Sequence, residues 1–225
     1  MQFLTCPKGT DASNGRLHVT FDFGQSWTAV HESGRAHAFK WDPKHDKIFF
    51  YTHDPTGLGR KQNFALTLYR SKDGGKTVDK LAEHVWSFGI EEEFLFVSVR
   101  YQPKGKAQSR IMHVSKDHGD HFDAVQLPAV GEDQFFSILD ANEGMIFMHI
   151  DEDGDTGKGT IYTSDEAGIV YTVSLEDNLY PNGEDVTDFI RVKSLKDRLD
   201  IYSRSFNSII SIEECRKVCP PEKHQ

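Results

Sequence analysis

The chain has 225 residues, 37% of them hydrophobic and 27% charged, with a formal net charge of -9. This is the composition of a globular domain able to bury a sizeable core, which excludes wholesale disorder. The acidic balance, and the lack of any Lys/Arg cluster interleaved with aromatics, exclude nucleic acid as a partner.

At the amino end, Met1 to Leu4 runs straight into Cys6, Pro7 and Lys8, so neither the charged nor the long apolar part of a signal peptide is expected there. The first structural signal is a turn pattern, Ser/Thr-x-Asp-x-Gly, followed three residues on by an aromatic or apolar side chain. Its first copy is Thr20-Phe21-Asp22-Phe23-Gly24 with Trp27. A continuous apolar run, Ile48-Phe49-Phe50-Tyr51, and an alternating one, Ala65 to Tyr69, then lead to the second copy, Ser71-Lys72-Asp73-Gly74-Gly75 with Val78. The same order returns twice. Phe94 to Val99 and Arg110 to Val114 precede Ser115-Lys116-Asp117-His118-Gly119 with Phe122. Met145 to Ile150 and Gly159 to Thr163 precede Ser164-Asp165-Glu166-Ala167-Gly168 with Tyr171, where Glu166 stands in the Asp position.

The spacings Asp22 to Asp73, Asp73 to Asp117 and Asp117 to Glu166 are 51, 44 and 49 residues, the period of a four-stranded propeller blade. The continuous runs read as strands buried on both faces, the alternating ones as their half-buried partners. They are far shorter than the roughly 20 residues of a membrane-crossing helix, so no membrane span is expected. No long segment carries a helical apolar period, and the predicted class is all-β. Asp22, Asp73 and Asp117 are expected to be turn residues: the Ser/Thr and Asp side chains bond to turn backbone, and Gly supplies φ > 0.

Other constellations carry less. Asp151, Asp153 and Asp155 imitate the start of a calcium loop, but Thr156 and Tyr162 stand where Gly and Glu are needed. His118 and His121 lie in a turn without a third convergent ligand, and Glu91-Glu92-Glu93 reads as a solvated edge. No metal and no cofactor is expected. Cys6, Cys215 and Cys219 cannot all pair within one molecule, and no disulfide is drawn.

The turn pattern resembles the Asp-box. Longer stretches resemble the sortilin family of sorting receptors, whose luminal domain is of the vacuolar protein sorting ten type. The most specific are Gln134-Phe135-Phe136-Ser137-Ile138-Leu139 and Met145 to Glu152 running on to Gly157. Trp86 to Gly89, Phe94 to Val99, His113 to Asp117 and Thr163 to Tyr171 extend the match in order. That domain is a ten-bladed propeller. The resemblance therefore implies an incomplete β-propeller arc of about four blades over residues 10 to 195, with a divergent tail from 196 to 225. Two open strand edges follow, and with them self-association.

The family's tunnel binds the carboxyl end of peptide ligands such as neurotensin. The resemblance implies Arg110 as the carboxylate-binding residue, with Phe96, Ser98, Met112, Phe136 and Ile138 around it. A guanidinium suits that task because its planar fork of donors matches a carboxylate. The matching strand parity of Phe96 with Ser98, and of Arg110 with Met112, puts each pair on one sheet face. The partners implied are peptide or protein ligands with a free C-terminus. The implied location is the luminal or extracellular side of Golgi, endosome or plasma membrane. One departure is that no cysteine pair stands between Arg35 and Gly59, where a family member has one. The competing reading is an Asp-box glycoside hydrolase of the sialidase kind, which the missing Phe/Tyr-Arg-Ile-Pro segment and Arg triad argue against.

Overall fold

The apolar runs become strands, and what distinguishes the continuous from the alternating ones is how many faces each has to bury. The computed structural model describes residues 16–55, 66–101, 109–131, 134, 136–142, 144–154 and 156–179, and, as strand backbone alone, 2–5, 190–191, 200–203 and 208–211. Cys6, Cys215, Cys219, Asp155 and residues 10–15, 56–65, 102–108, 132–133, 135, 143, 180–189 and 192–195 of the expected arc lie outside the described residues. Among the described residues there is no helix, and every strand pairing in a sheet is antiparallel. The class is all-β, as expected.

The chain divides into two compact units, residues 1–100 with 115–122, and residues 101–114 with 123–225. The first unit contains β1 (Gln2–Thr5), β2 (Arg16–Val19) and β3 (Thr28–Ala29), paired in that order. It continues with β4 (Arg35–Trp41), β5 (Phe49–Asp54), β6 (Leu66–Ser71), β7 (Asp79–Glu91) and β8 (Phe94–Tyr101), each paired with the next. Strand β7 serves twice. It pairs with β6 from Arg70↔Asp79 to Leu66↔Val85, and with β8 from Val85↔Val99 to Glu91↔Phe94, so one strand closes a four-stranded unit and opens the next.

In the second unit β9 (Ser109–Ser115) pairs with β10 (Asp123–Ala124). Then β11 (Phe136–Asn142), β12 (Met145–Asp151), β13 (Lys158–Ser164) and β14 (Tyr171–Leu179) form a complete four-stranded sheet in sequence order. The short strands β15 (Ile190–Arg191), β16 (Asp200–Ser203) and β17 (Ser208–Ser211) make a further three-stranded sheet, two of whose strands fall in the segment read as a divergent tail.

Strand β5 is buried along its whole length because its two faces feed two different cores. Phe49 and Tyr51 pack with Leu17 and Ala36, joined by Val30, Phe39, Tyr69 and Val78. Phe50, on the other face, packs with Leu68, Val85, Leu95 and Val97, joined by Leu81 and Phe122 among others. Fully burying one such ring contributes about 1.5–3 kcal/mol.

Three of the four turns share one set of hydrogen bonds. In the second, Ser71 Oγ donates to Asp73 Oδ1 (2.9 Å) and accepts from Gly75 N (2.8 Å), while Asp73 accepts from Thr77 N and Oγ1 (2.9 and 2.8 Å). Thr20/Asp22/Gly24/Ser26 and Ser115/Asp117/Gly119/His121 repeat it. The glycine ending each pattern has φ of 93°, 100° and 90° in chain order, which a side chain would strain.

The fourth turn departs from the expected assignment. Asp165, not Glu166, is the acceptor, taking Ile169 N (2.9 Å) and Val170 N (3.2 Å). Its shorter arm reaches amides directly ahead of it, as in an Asx turn. Asp165→Ala is therefore expected to cost about 1–2 kcal/mol in urea unfolding, and Glu166→Ala about 0.5 kcal/mol or less; equal losses would contradict this division.

Candidate functional site

Strand β9 alternates cleanly. Arg110, Met112 and Val114 are buried, with exposures of 4%, 5% and 2%, while Ser109, Ile111 and His113 on the other face are half-buried. Arg110 is thus not a solvated strand-end residue. Its backbone pairs with that of Val130 in both directions, at 2.7 and 3.0 Å. Its Nη2 donates to the carbonyl of Gly131 at 2.7 Å and to the carbonyl of Gln134.

Gln134 completes the arrangement. Its side chain accepts from Gly131 N and donates to the carbonyl of Asp151, both at 2.8 Å, so β9, Gly131, Gln134 and the end of β12 are tied around one cation. A buried guanidinium with hydrogen-bonded carbonyls keeps its charge while avoiding part of the desolvation cost. Gln134 had stood out in the sequence only as part of a family-like stretch; its role in holding Arg110 depends on a loop closure that spacing does not reveal.

The other expected site residues are placed as follows. Met112 shares the buried face of β9 with Arg110. Phe136 and Ile138 lie on one face of β11, opposite Ile150 and Met148, and both are half-buried. Phe96 and Ser98 share a face of β8, which belongs to the first unit. Phe96 is 1% exposed and stacks on Phe94 with centroids 6.0 Å apart, the setting of a packing residue. The hydroxyl of Ser98 is buried and, among the described residues, has no hydrogen-bond partner, a state that costs about 1–3 kcal/mol. His113 is on the face of β9 opposite Arg110, and burial pushes its imidazole below the ordinary range.

The row of turn carboxylates is chemically quiet. Asp22 is drawn down to about 2, first by the Ser26 hydroxyl and amide and then by Thr20. For Asp73, burial pushes upward, but hydrogen bonds from Thr77, Ser71 and the Lys76 amide outweigh it and hold the group at about 2. Asp117 is held low in the same way, by His121 and Ser115 against burial. A general acid for glycoside cleavage needs a raised pKa, the opposite of what these turns impose.

Antiparallel four-stranded units, β4 to β7 and β11 to β14, each with a turn between its third and fourth strands whose carboxylate is engaged by the turn itself, define a blade-built β-sheet protein. The family model described as "Sortilin, neurotensin receptor 3" matches residues 2–198, and the chain belongs to this Sortilin-Vps10 family. It is 42% identical to mouse (Mus musculus) Sortilin over 200 residues, 87% of this chain and 23% of that protein. It is 24% identical to the human (Homo sapiens) Sortilin-related receptor over 81% of this chain and 9% of that protein. Vacuolar protein sorting/targeting protein 10 of Eremothecium gossypii is 30% identical over 54% of this chain and 8% of that protein. The chain thus spans less than a quarter of the length of these curated relatives. Membership of this family supports a non-enzymatic domain and gives the glycoside hydrolase alternative no support.

Proposed function

We propose that this chain is a ligand-contacting part of a sorting receptor's luminal or extracellular domain, which recognises peptides or proteins by a free C-terminus. The observation that carries the reading is a buried, charged Arg110 on an otherwise apolar strand face with Met112, within the stretch where the resemblance implies the carboxylate-binding residue. The carbonyls of Gly131 and Gln134 fix one end of the guanidinium. A fixed fork is what bidentate recognition needs, since less side-chain entropy is then lost on binding. Phe136 and Ile138, only half-buried, supply apolar contact for the terminal side chain of the ligand. Phe96 and Ser98 lie in the first unit and belong to this reading by the resemblance alone. Traffic between Golgi and endosome is the cellular role that goes with this reading.

The test is a titration of a short peptide ending in Leu, as free acid and as C-terminal amide. The free acid is expected to bind roughly 10–100-fold tighter, the worth of one charge-assisted pair. Arg110→Lys keeps the charge but not the fork and is expected to lose most of that preference. Equal affinity for acid and amide in the unaltered chain would remove the carboxylate clamp while leaving family membership untouched.

A further inference from the structure

Within the first unit, three groups that are far apart in sequence meet. Asp42 ends the strand edge of β4, His45 sits in the tight loop that follows, and His118 lies in the third turn. One carboxylate oxygen of Asp42 is 2.9 Å from His45 Nδ1, and the other is 2.8 Å from His118 Nδ1. The three potential donor atoms all lie within 4.8 Å of one another. The two imidazole rings stand edge to face with centroids 4.6 Å apart.

We propose that Asp42, His45 and His118 form a binding site for a divalent transition metal of the zinc class. Two imidazole nitrogens and one carboxylate oxygen are a donor set for such ions, with a fourth position left to water. A tetrahedral ion with bonds of about 2.0–2.1 Å holds its donors about 3.3 Å apart; the imidazoles now contact different oxygens of Asp42 and the three donors lie within 4.8 Å of one another, so binding requires the rings and the carboxylate to adjust around one ion. The imidazoles now donate Nδ1–H to the carboxylate. Metal binding moves each of these protons to Nε2 of the same ring, freeing the Nδ1 lone pair without changing the net charge of either histidine.

Three further features fit a built site. First, the loop is rigid: Asp42 N donates to Ile48 O at 2.9 Å, Ile48 N to His45 O at 3.0 Å, and Lys44 N to Asp42 Oδ1 at 2.9 Å. Second, neighbouring cations are directed elsewhere. Lys44 Nζ pairs with Glu92 and Glu93, Lys72 with Asp120, and Arg70 with Asp120, Asp79 and the carbonyl of His118. Third, the turn does not itself require His118. At φ 60° its backbone lies in the left-handed region, and the matching positions hold the fully exposed Phe23 and Gly74, so the turn accepts quite different side chains there. Asp42 is 8% exposed, while the His45 side chain is half exposed, which gives an ion a buried anchor and a way in. The inference is independent of the peptide-binding reading.

Co²⁺ reports on this directly, because tetrahedral coordination gives strong visible absorption. The metal-stripped chain, with its cysteines alkylated, is expected to bind one equivalent of Co²⁺ with such a spectrum, displaceable by Zn²⁺. His45→Gln and His118→Asn, the latter chosen because Asn tolerates φ > 0, are each expected to weaken binding beyond the roughly 10–100-fold that loss of an outer partner costs. His121→Gln, in the same turn but paired with Asp117, is expected to leave binding unchanged. No saturable binding by the unaltered chain, or binding that survives both ligand substitutions, would overturn the proposal.

Discussion

Gly159→Ala is expected to lower the stability of the second unit by on the order of 3 kcal/mol or more, although Gly159 has no left-handed backbone to explain its identity. A methyl group there would sit on the His149 ring and 2.5 Å from the carbonyl oxygen of Ile150, contacts that real side chains do not make. Neither neighbour can yield. Ile150 O belongs to strand β12, whose pairing with β13 runs through Ile150↔Thr160 and Asp151↔Gly159, and His149 is 2% exposed in the packed interior. Overpacking of this kind forces backbone shifts. Gly154→Ala provides the contrast. It has φ of 89° and nothing within 4 Å of an added methyl, so it carries only the left-handed penalty of roughly 1–2 kcal/mol. Urea unfolding of both variants checks the ordering, and a Gly154→Ala loss equal to that of Gly159→Ala would mean that space is not what fixes Gly159.

This pair of glycines also marks where the sequence stops being informative. The run Phe49-Phe50-Tyr51 was legible as a strand buried on both faces because a three-residue apolar stretch leaves no side for solvent. The structure duly sends its members to two cores. The turns were legible because their chemistry is local, every bond falling within four residues. Even so, one residue was misassigned at the fourth turn, since Asp165 and Glu166 are adjacent carboxylates and only their reach distinguishes them. Parity put Arg110 and Met112 on one face correctly, but parity is silent on what lies against that face. The carbonyls of Gly131 and Gln134 arrive through loop closure 21 and 24 residues downstream. His118 was read as a turn residue for want of a third ligand. Its partner Asp42 is 76 residues away, a separation over which no local pattern speaks.

A loss of stability between about pH 6.5 and about pH 4 is the second large effect expected, and its source is a set of buried and half-buried histidines. Burial, and secondarily the charge of His53, drop the His31 imidazole to about 4. His53 is lowered by burial, against the opposing pull of the Ser33 carbonyl and Asp54. His113 is lowered by burial alone, and His149 by burial against Asp151 and the Asn178 backbone. His31 is held 2.6 Å from the Tyr51 hydroxyl and stacked on His53 with centroids 4.1 Å apart, so a second positive charge there has nowhere to be solvated. In this window the unfolded chain takes up protons that the folded chain refuses. Stability therefore rises with pH across it, is complete above the unfolded value of about 6.5, and is lost as pH falls toward the folded value. One pKa unit is worth about 1.4 kcal/mol, so His31, with its partial exposure discounted, is expected to remove on the order of 1–2 kcal/mol between pH 7 and 4.5, and His53, His113 and His149 act in the same direction. The turn aspartates act in a separate window. Their lowered pKa values contribute stability above about pH 4 that disappears only toward pH 2, so they do not mask the histidine effect. Chemical unfolding at pH 7, 5.5 and 4.5 measures the slope. His31→Gln, which keeps a polar group near Tyr51 but cannot titrate, is expected to flatten it by a quarter or more, whereas a slope identical to that of the unaltered chain would place the acid sensitivity outside this cluster.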